Sequence, residues 1–221
     1  AGTTVGILGG TGSGKSTLMY LLDRLYDLKQ GSIKIGDVDI RDMKAEWVRK
    51  NIGMVLQEPY LFSRSLGENI KIAEPEANFE QVQYAAKIAA LDHAVEHFKE
   101  GYETFVGERG VTLSGGQKQR AAIAQMLIRK PPIMVFDDSL SAVDAETDAK
   151  IRSALKENVG DSTVILIAHR ITTLMNADQI IVMDQGKIVE HGTHEELLAQ
   201  NGVYRRIYDL QSCSAGQEVQ A

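Results

Sequence analysis

Cysteine is nearly missing from this 221-residue chain, which has one, Cys213. A single thiol closes no internal disulfide, so a reducing compartment is the default and the disulfide-stapled secreted class is excluded. Cys213 sits in a polar C-terminal stretch and reads as inert. Long apolar runs are missing as well. None approaches the ~18–20 residues needed to span a bilayer, and the N-terminus has neither the basic start nor the apolar region of a signal peptide. An excess of positive charge is also lacking: 24 Lys and Arg face 30 Asp and Glu, a net charge of -6. Nothing electrostatic therefore draws the chain to nucleic acid. There is no internal repeat and no low-complexity stretch. What is present, 43% hydrophobic and 24% charged residues, suits one ordinary α/β unit with room for two lobes and a real core.

Short apolar runs bounded by turn residues recur at Thr4–Leu8, Ile33–Ile35, Ile52–Leu56, Ile133–Phe136, Thr163–Ala168 and Gln179–Met183. Runs without polar alternation predict strands buried on both faces, as in a parallel sheet covered by helices. After Lys15, the residues Leu18, Leu21, Leu22 and Leu25 form one helical stripe, and Gly31 ends the segment. From about Leu61 to Arg129 helical pattern dominates, as in Phe79–Leu91 and Gln117–Arg129, until Pro131-Pro132 marks a return to the core. The expected organisation is an α/β core from 1–60 and 130–211, a helical insertion over 61–129, and a loose tail over 212–221. The chain opens directly on a buried strand, which suggests a fragment of a longer protein.

Gly9-Gly10-Thr11-Gly12-Ser13-Gly14-Lys15-Ser16 fits G-x-x-x-x-G-K-[ST] between a predicted strand and a predicted helix. The glycines let the backbone curl so that successive N–H groups face a phosphate, and the helix adds its positive end. Lys15 supplies a point charge for β and γ phosphates, and the Ser16 hydroxyl is a ligand for Mg²⁺. Thr17 follows as part of the same phosphate-binding turn. The run Ile133-Met134-Val135-Phe136 then ends in Asp137-Asp138, which puts a carboxylate at the carboxyl edge of the sheet, where α/β folds bind ligands. Asp137 is the candidate Mg²⁺ carboxylate, acting through water because Mg²⁺ keeps its hydration shell. ATP with Mg²⁺ is the expected ligand.

Leu113-Ser114-Gly115-Gly116-Gln117, followed by Lys118-Gln119-Arg120 and a helical pattern, resembles the signature sequence of ABC-type nucleotide-binding domains. Physically, Ser114 and the two glycines open a second helix with bare N–H groups, a second anion site. The resemblance explains the pair: two such domains dock head to tail, each signature closing on the nucleotide held by the other's cradle. Further positions match in order. Gln57, in Leu56-Gln57-Glu58-Pro59, resembles the Q-loop glutamine that touches Mg²⁺ and the attacking water. Ser141-Ala142-Val143-Asp144 resembles the D-loop, with Asp144 facing the partner. His169, in Ile167-Ala168-His169-Arg170, resembles the switch histidine that contacts the γ-phosphate. His93, His97, His191 and His194 have no such setting and read as surface residues. Glu103 to Gly110 resembles the X-loop of exporters, and Pro59-Tyr60-Leu61-Phe62 and Lys187 to Gly192 are also exporter-like.

The resemblance covers essentially the whole chain. It implies a P-loop NTPase core of RecA type with a mainly parallel sheet and an inserted helical subdomain. It also implies ATPase activity at the cytoplasmic face of a membrane, coupled to transmembrane domains, with Glu58 to Phe62 pressing on them. Two departures stand out. The family has an aromatic residue some two dozen positions before the cradle that stacks on adenine, whereas only eight residues precede Gly9 here. Base stacking is worth about 1–3 kcal/mol, so the chain as written is expected to bind ATP weakly. The family also has glutamate after the Mg²⁺ aspartate, where this chain has Asp138. Its arm is one CH₂ shorter, roughly 1–1.5 Å, when a 1 Å misplacement can cost about 10²-fold in rate and general-base help is worth ~10²–10⁴. An intact signature beside a weakened acid resembles the degenerate-site half of a heterodimeric multidrug exporter. The alternatives are a homodimer in which aspartate suffices, a soluble ABC ATPase outside transport, and a regulatory nucleotide-binding subunit with little turnover.

Overall fold

The computed structural model describes residues 1–108, 112–139, 143–158 and 161–218. In chain order the elements begin β1 (Thr4–Gly9), α1 (Lys15–Leu22), β2 (Lys34–Ile35), β3 (Val38–Asp39), α2 (Ala45–Asn51), β4 (Ile52–Val55) and β5 (Arg64–Ser65). There follow α3 (Leu66–Lys71), α4 (Phe79–Ile88), α5 (Asp92–Glu96), β6 (Phe105–Val106), α6 (Gly115–Leu127), β7 (Ile133–Asp137) and α7 (Ala145–Asn158). The chain ends with β8 (Thr163–Ala168), α8 (Ile171–Leu174), β9 (Gln179–Asp184), β10 (Lys187–Gly192), α9 (His194–Ala199) and α10 (Val203–Glu218). The contacts separate two compact units. One comprises Ala1–Ile52, Ile133–Asp137 and Thr163–Ala221; the other comprises Gly53–Pro132 and Asp138–Ser162.

In the first unit the strands run in the order β10-β9-β1-β8-β7. β1 is parallel to both β8 and β9, and β7 is parallel to β8. β10 closes the edge as an antiparallel hairpin with β9. Five of the six apolar runs are strands of the expected kind, and Ile7, Leu8, Met134, Val135, Phe136, Leu166 and Ile167 are almost fully buried. Burial on both faces is what a strand of consecutive apolar residues requires. The run at Ile33–Ile35 behaves differently. Its last two residues pair with Val38–Asp39 in a small antiparallel ribbon.

The first helix is shorter than its apolar stripe. It stops at Leu22 because Arg24 takes φ 50, with Arg24 N–H donating to Leu21 O and Leu25 N–H to Tyr20 O. That is a Schellman stop made by arginine where glycine is usual. Arg24 is held there by bonds from its guanidinium to the carbonyls of Ile40 and Met43 at 2.9 and 2.6 Å. The fourth member of the stripe, Leu25, is left exposed. At the far end, where a loose tail was expected from Ser212, α10 continues as helix through Glu218.

The second unit is mainly helical, with Val82, Ala85 and Ala86 of α4 and Ala121, Ile123 and Ala124 of α6 buried. Between 61 and 129 the chain also forms the short β5–β6 ribbon. Buried Asn69 shapes the preceding loop: its side chain accepts from Phe62 N–H and donates to the carbonyls of Phe62 and Ser65. α4 ends at Ile88, short of Leu91, through a second stop of the same kind, with Ala90 at φ 51 and Leu91 N–H donating to Ala86 O. This unit also takes in 138–162, which sequence pattern assigns to the core.

Candidate functional site

Three strand ends meet at one edge of the first unit. β8 lies between β1 and β7, with Leu8 opposite Ala168 and Asp137 opposite Ile167. The cradle leaves β1, His169 follows β8 and Asp137 ends β7, so all three emerge from carboxyl ends of adjacent parallel strands. Neighbouring strands are ~4.8 Å apart, which puts the outer two about 10 Å from each other, the span of a ligand-binding edge. His169 is exposed and Asp137 half-buried.

The cradle curls as its glycines allow. Gly12 and Gly14 have φ 80 and 101, values that L side chains rarely adopt. Gly9 is needed for space: an added Cβ would come 2.4 Å from Ser13 Oγ and 2.7 Å from the Met183 carbonyl. Ser13 N–H donates to Gly10 O at 3.2 Å, and the β9–β10 turn props the loop through Gly186 N–H to Ser13 O at 2.9 Å. The Lys15 ammonium is turned onto this loop. It donates to Gly9 O at 2.7 Å, Gly10 O at 2.8 Å and Ser13 Oγ at 3.3 Å, and the residue is 7% exposed. α1 begins at Lys15 with no side-chain cap and no acidic residue in its first turn, while Thr11, Ser16 and Thr17 are exposed. An uncapped, acid-free helix start with exposed hydroxyls is a fit for phosphate.

The remaining predicted residues lie in the second unit. Ser114 caps α6, but the helix end is less bare than sequence suggests. Ser114 Oγ accepts Gln117 N–H at 3.3 Å, and Gln117 Oε1 accepts Ser114 N–H at 2.9 Å. This capping box satisfies two donors internally, leaving the amides of Gly115 and Gly116 and the Ser114 hydroxyl hydrogen as the groups an anion could take. A Cβ added at Gly115 would meet nothing within 4 Å. Leu113, 6% exposed, anchors the turn.

Gln57 is exposed just past β4. A residue that sequence reasoning missed sits behind it: Gln119, 1% exposed, donates from Nε2 to the Leu56 carbonyl at 3.1 Å. Arg120, also without an assigned role, ties the start of α6 to the end of α4 through Gly116 O and Ala90 O. Asp138 is half-buried with φ 45, a left-handed conformation that aspartate tolerates better than most residues. Asp144 caps α7, accepting from Thr147 N–H at 2.9 Å and the Thr147 hydroxyl at 2.8 Å. Those two bonds hold its carboxyl below the usual range, with smaller help from Arg120. Ser141 and Ala142 of the D-loop-like stretch, and Arg109 and Gly110 of the X-loop-like one, lie outside the described residues. His194, read as a surface residue, is half-buried in the first unit, with Nδ1 2.7 Å from the Tyr204 hydroxyl.

Among the described residues no helix is long and apolar enough to cross a membrane. A putative multidrug export ATP-binding/permease protein of Bacillus subtilis is 44% identical over 96% of this chain and 36% of its own length. A leukotoxin translocation ATP-binding protein of Mannheimia glucosida is 46% identical over 95% of this chain and 30% of its own. The chain thus spans about a third of these curated relatives. A solved bacterial Atm1-family ABC exporter with ATP bound superposes with a TM-score of 0.93 at 41% identity, covering 96% of this chain and 37% of that one. It confirms the mainly parallel α/β fold. The family model described as "ABC transporter" matches residues 1–141, well over half of the chain. On the cradle, the signature turn and these matches together, the chain belongs to the ABC transporter family.

Proposed function

We propose that this chain is the nucleotide-binding, ATP-hydrolysing domain of an ABC exporter, working at the cytoplasmic face of a membrane with transmembrane domains and a second nucleotide-binding domain. The observation that carries the reading is the cradle, an uncapped helix start and a lysine ammonium turned onto its own loop, with Asp137 and His169 on adjoining strand ends. An ammonium so placed can exchange those carbonyl and hydroxyl acceptors for phosphate oxygens, which adds ion-pair attraction to bonds that are already charge-assisted. Lys15 then holds the β and γ phosphates, the amides of the loop and of α1 bind their oxygens, and His169 contacts the terminal phosphate. Hydroxyl, carboxylate and amide oxygens are hard donors suited to Mg²⁺, which Ser16, Asp137 and Gln57 would hold and which neutralises phosphate charge when bound. Gln57 and Asp138 orient the attacking water, and a partner's signature turn excludes bulk solvent.

Asp138 supports a finer reading, a slow site on this chain's own cradle. The intact turn Leu113–Gln117 would meanwhile complete a competent site on a different partner chain, which makes a heterodimer. The transported molecule is a separate matter. The two relatives cited are named for different cargoes although each is about equally similar to this chain. The deciding experiment is Lys15→Ala in the complete polypeptide with its partner. Nucleotide-dependent cross-linking of the two nucleotide-binding domains is expected to disappear, and unchanged cross-linking would show the assigned cradle to be wrong.

A further inference from the structure

The C-terminal helix reaches back to the loop that carries His169, and one side chain makes the connection. Gln211 Nε2 donates to the His169 carbonyl at 2.7 Å, and Gln211 Oε1 accepts from Ile171 N–H at 2.9 Å. A single amide therefore grips the main chain on both sides of Arg170, between the end of β8 and the start of α8. The helix that carries it is itself anchored. The Glu190 carboxylate accepts the N–H groups of Val203 and Tyr204 at the helix start. Tyr204 is 0% exposed, and its hydroxyl meets His194 Nδ1. Tyr204, Tyr208 and Gln211 fall at i, i+4 and i+7, one face of a helix, so the buried tyrosine sets where Gln211 arrives, ~10 Å further along the axis.

Half of this arrangement has a bland explanation. α8 has no side-chain cap of its own at Arg170, and Gln211 Oε1 satisfies its first N–H, an orphan donor at any helix start. The other half does not. Donation to the carbonyl of His169 caps no helix; it fixes the peptide that follows the histidine. We infer that Gln211 is a positioning residue for His169, holding the main-chain path from β8 into α8 so that the ring stays at the edge where β1, β7 and β8 end. The inference rests on the proposed reading in which His169 contacts the terminal phosphate. It makes α10 part of the apparatus that sets turnover.

Two variants in the complete transporter separate the halves, with kcat and KM for MgATP measured in proteoliposomes. Gln211→Ala removes both bonds. Gln211→Glu is isosteric, still accepts from Ile171 N–H, and turns an oxygen toward the His169 carbonyl. A shift of some tenths of an ångström to 1 Å at a reacting group costs up to about 10²-fold, so both variants are expected to lower kcat by roughly five- to twentyfold with KM within about twofold. Wild-type kcat in Gln211→Glu would reduce Gln211 to a helix cap and overturn the inference. So would wild-type kcat in Gln211→Ala, or a loss of kcat matched by an equal loss of nucleotide affinity. His169→Ala is the independent control. If it keeps full turnover, the role given to His169 fails, whatever the Gln211 variants do.

Discussion

Adding a methyl group at Gly9 tests the cradle at its tightest point. The new Cβ would approach two atoms of different character, Ser13 Oγ at 2.4 Å and the Met183 carbonyl at 2.7 Å. The hydroxyl belongs to a residue only 4% exposed, so it has little space to turn into, and turning it would break its bond to Lys15. The carbonyl is main chain within β9, paired in register with Gly9 itself, and cannot yield. Restoring ordinary contact at 3.4 Å therefore needs a retreat of about 0.7 Å by the cradle, at the residue whose carbonyl Lys15 holds at 2.7 Å. Overpacking of this kind costs about 1–3 kcal/mol, and each kcal/mol lowers the midpoint of a chain this size by about 2–4 °C. Gly9→Ala is expected to lose MgATP affinity by tenfold or more and to unfold several degrees earlier. Gly10→Ala is the matched control, because a Cβ there meets nothing within 4 Å, and it should behave nearly as wild type. Titration with a fluorescent ATP analogue and thermal unfolding read both effects. Equal affinity in the two variants would refute the steric argument.

The acid after β7 offers a gain-of-function test. Asp138→Glu in the assembled transporter should raise ATP turnover at this chain's site by at least about tenfold, at a small cost in stability because the residue sits at φ 45; turnover that stays level removes the case for a weakened site. The anchor of α10 predicts alkaline sensitivity. Burial first, then Tyr208 and Glu195, push the Tyr204 phenol up to about 12, above its unfolded value near 10. The native state keeps that proton longer than the unfolded chain, so the contribution is whole below about pH 10 and is lost as pH rises toward 12. Thermal midpoints between pH 9 and 12 should fall less steeply in Tyr204→Phe than in wild type, and parallel slopes would contradict this.

Much of the candidate site depends on local order and could be read from the residues alone. The cradle, the signature turn and the strand that ends in Asp137 each need only a short stretch of chain, because glycine freedom, helix-start amides and a buried apolar run are properties of neighbours in sequence. The ends of helices were harder. α1 and α4 stop at Arg24 and Ala90, residues with no propensity for the left-handed conformation they adopt; Arg24 is held in it by carbonyls of Ile40 and Met43, more than a dozen residues away. The apolar stripe that continued to Leu25 carried no trace of that.

By itself, then, the sequence determined which segments form the central strands β1, β4, β7, β8 and β9, where a phosphate-binding loop is to be proposed, and which family the chain resembles. The tertiary structure alone decided which strand ends meet, and that Gln119 and Gln211 brace the main chain beside Gln57 and His169 from 63 and 42 residues away. The division has a physical reason. Amides, hydroxyls and left-handed residues acquire their meaning from the partner they meet, and when that partner lies dozens of residues off, no local pattern records it.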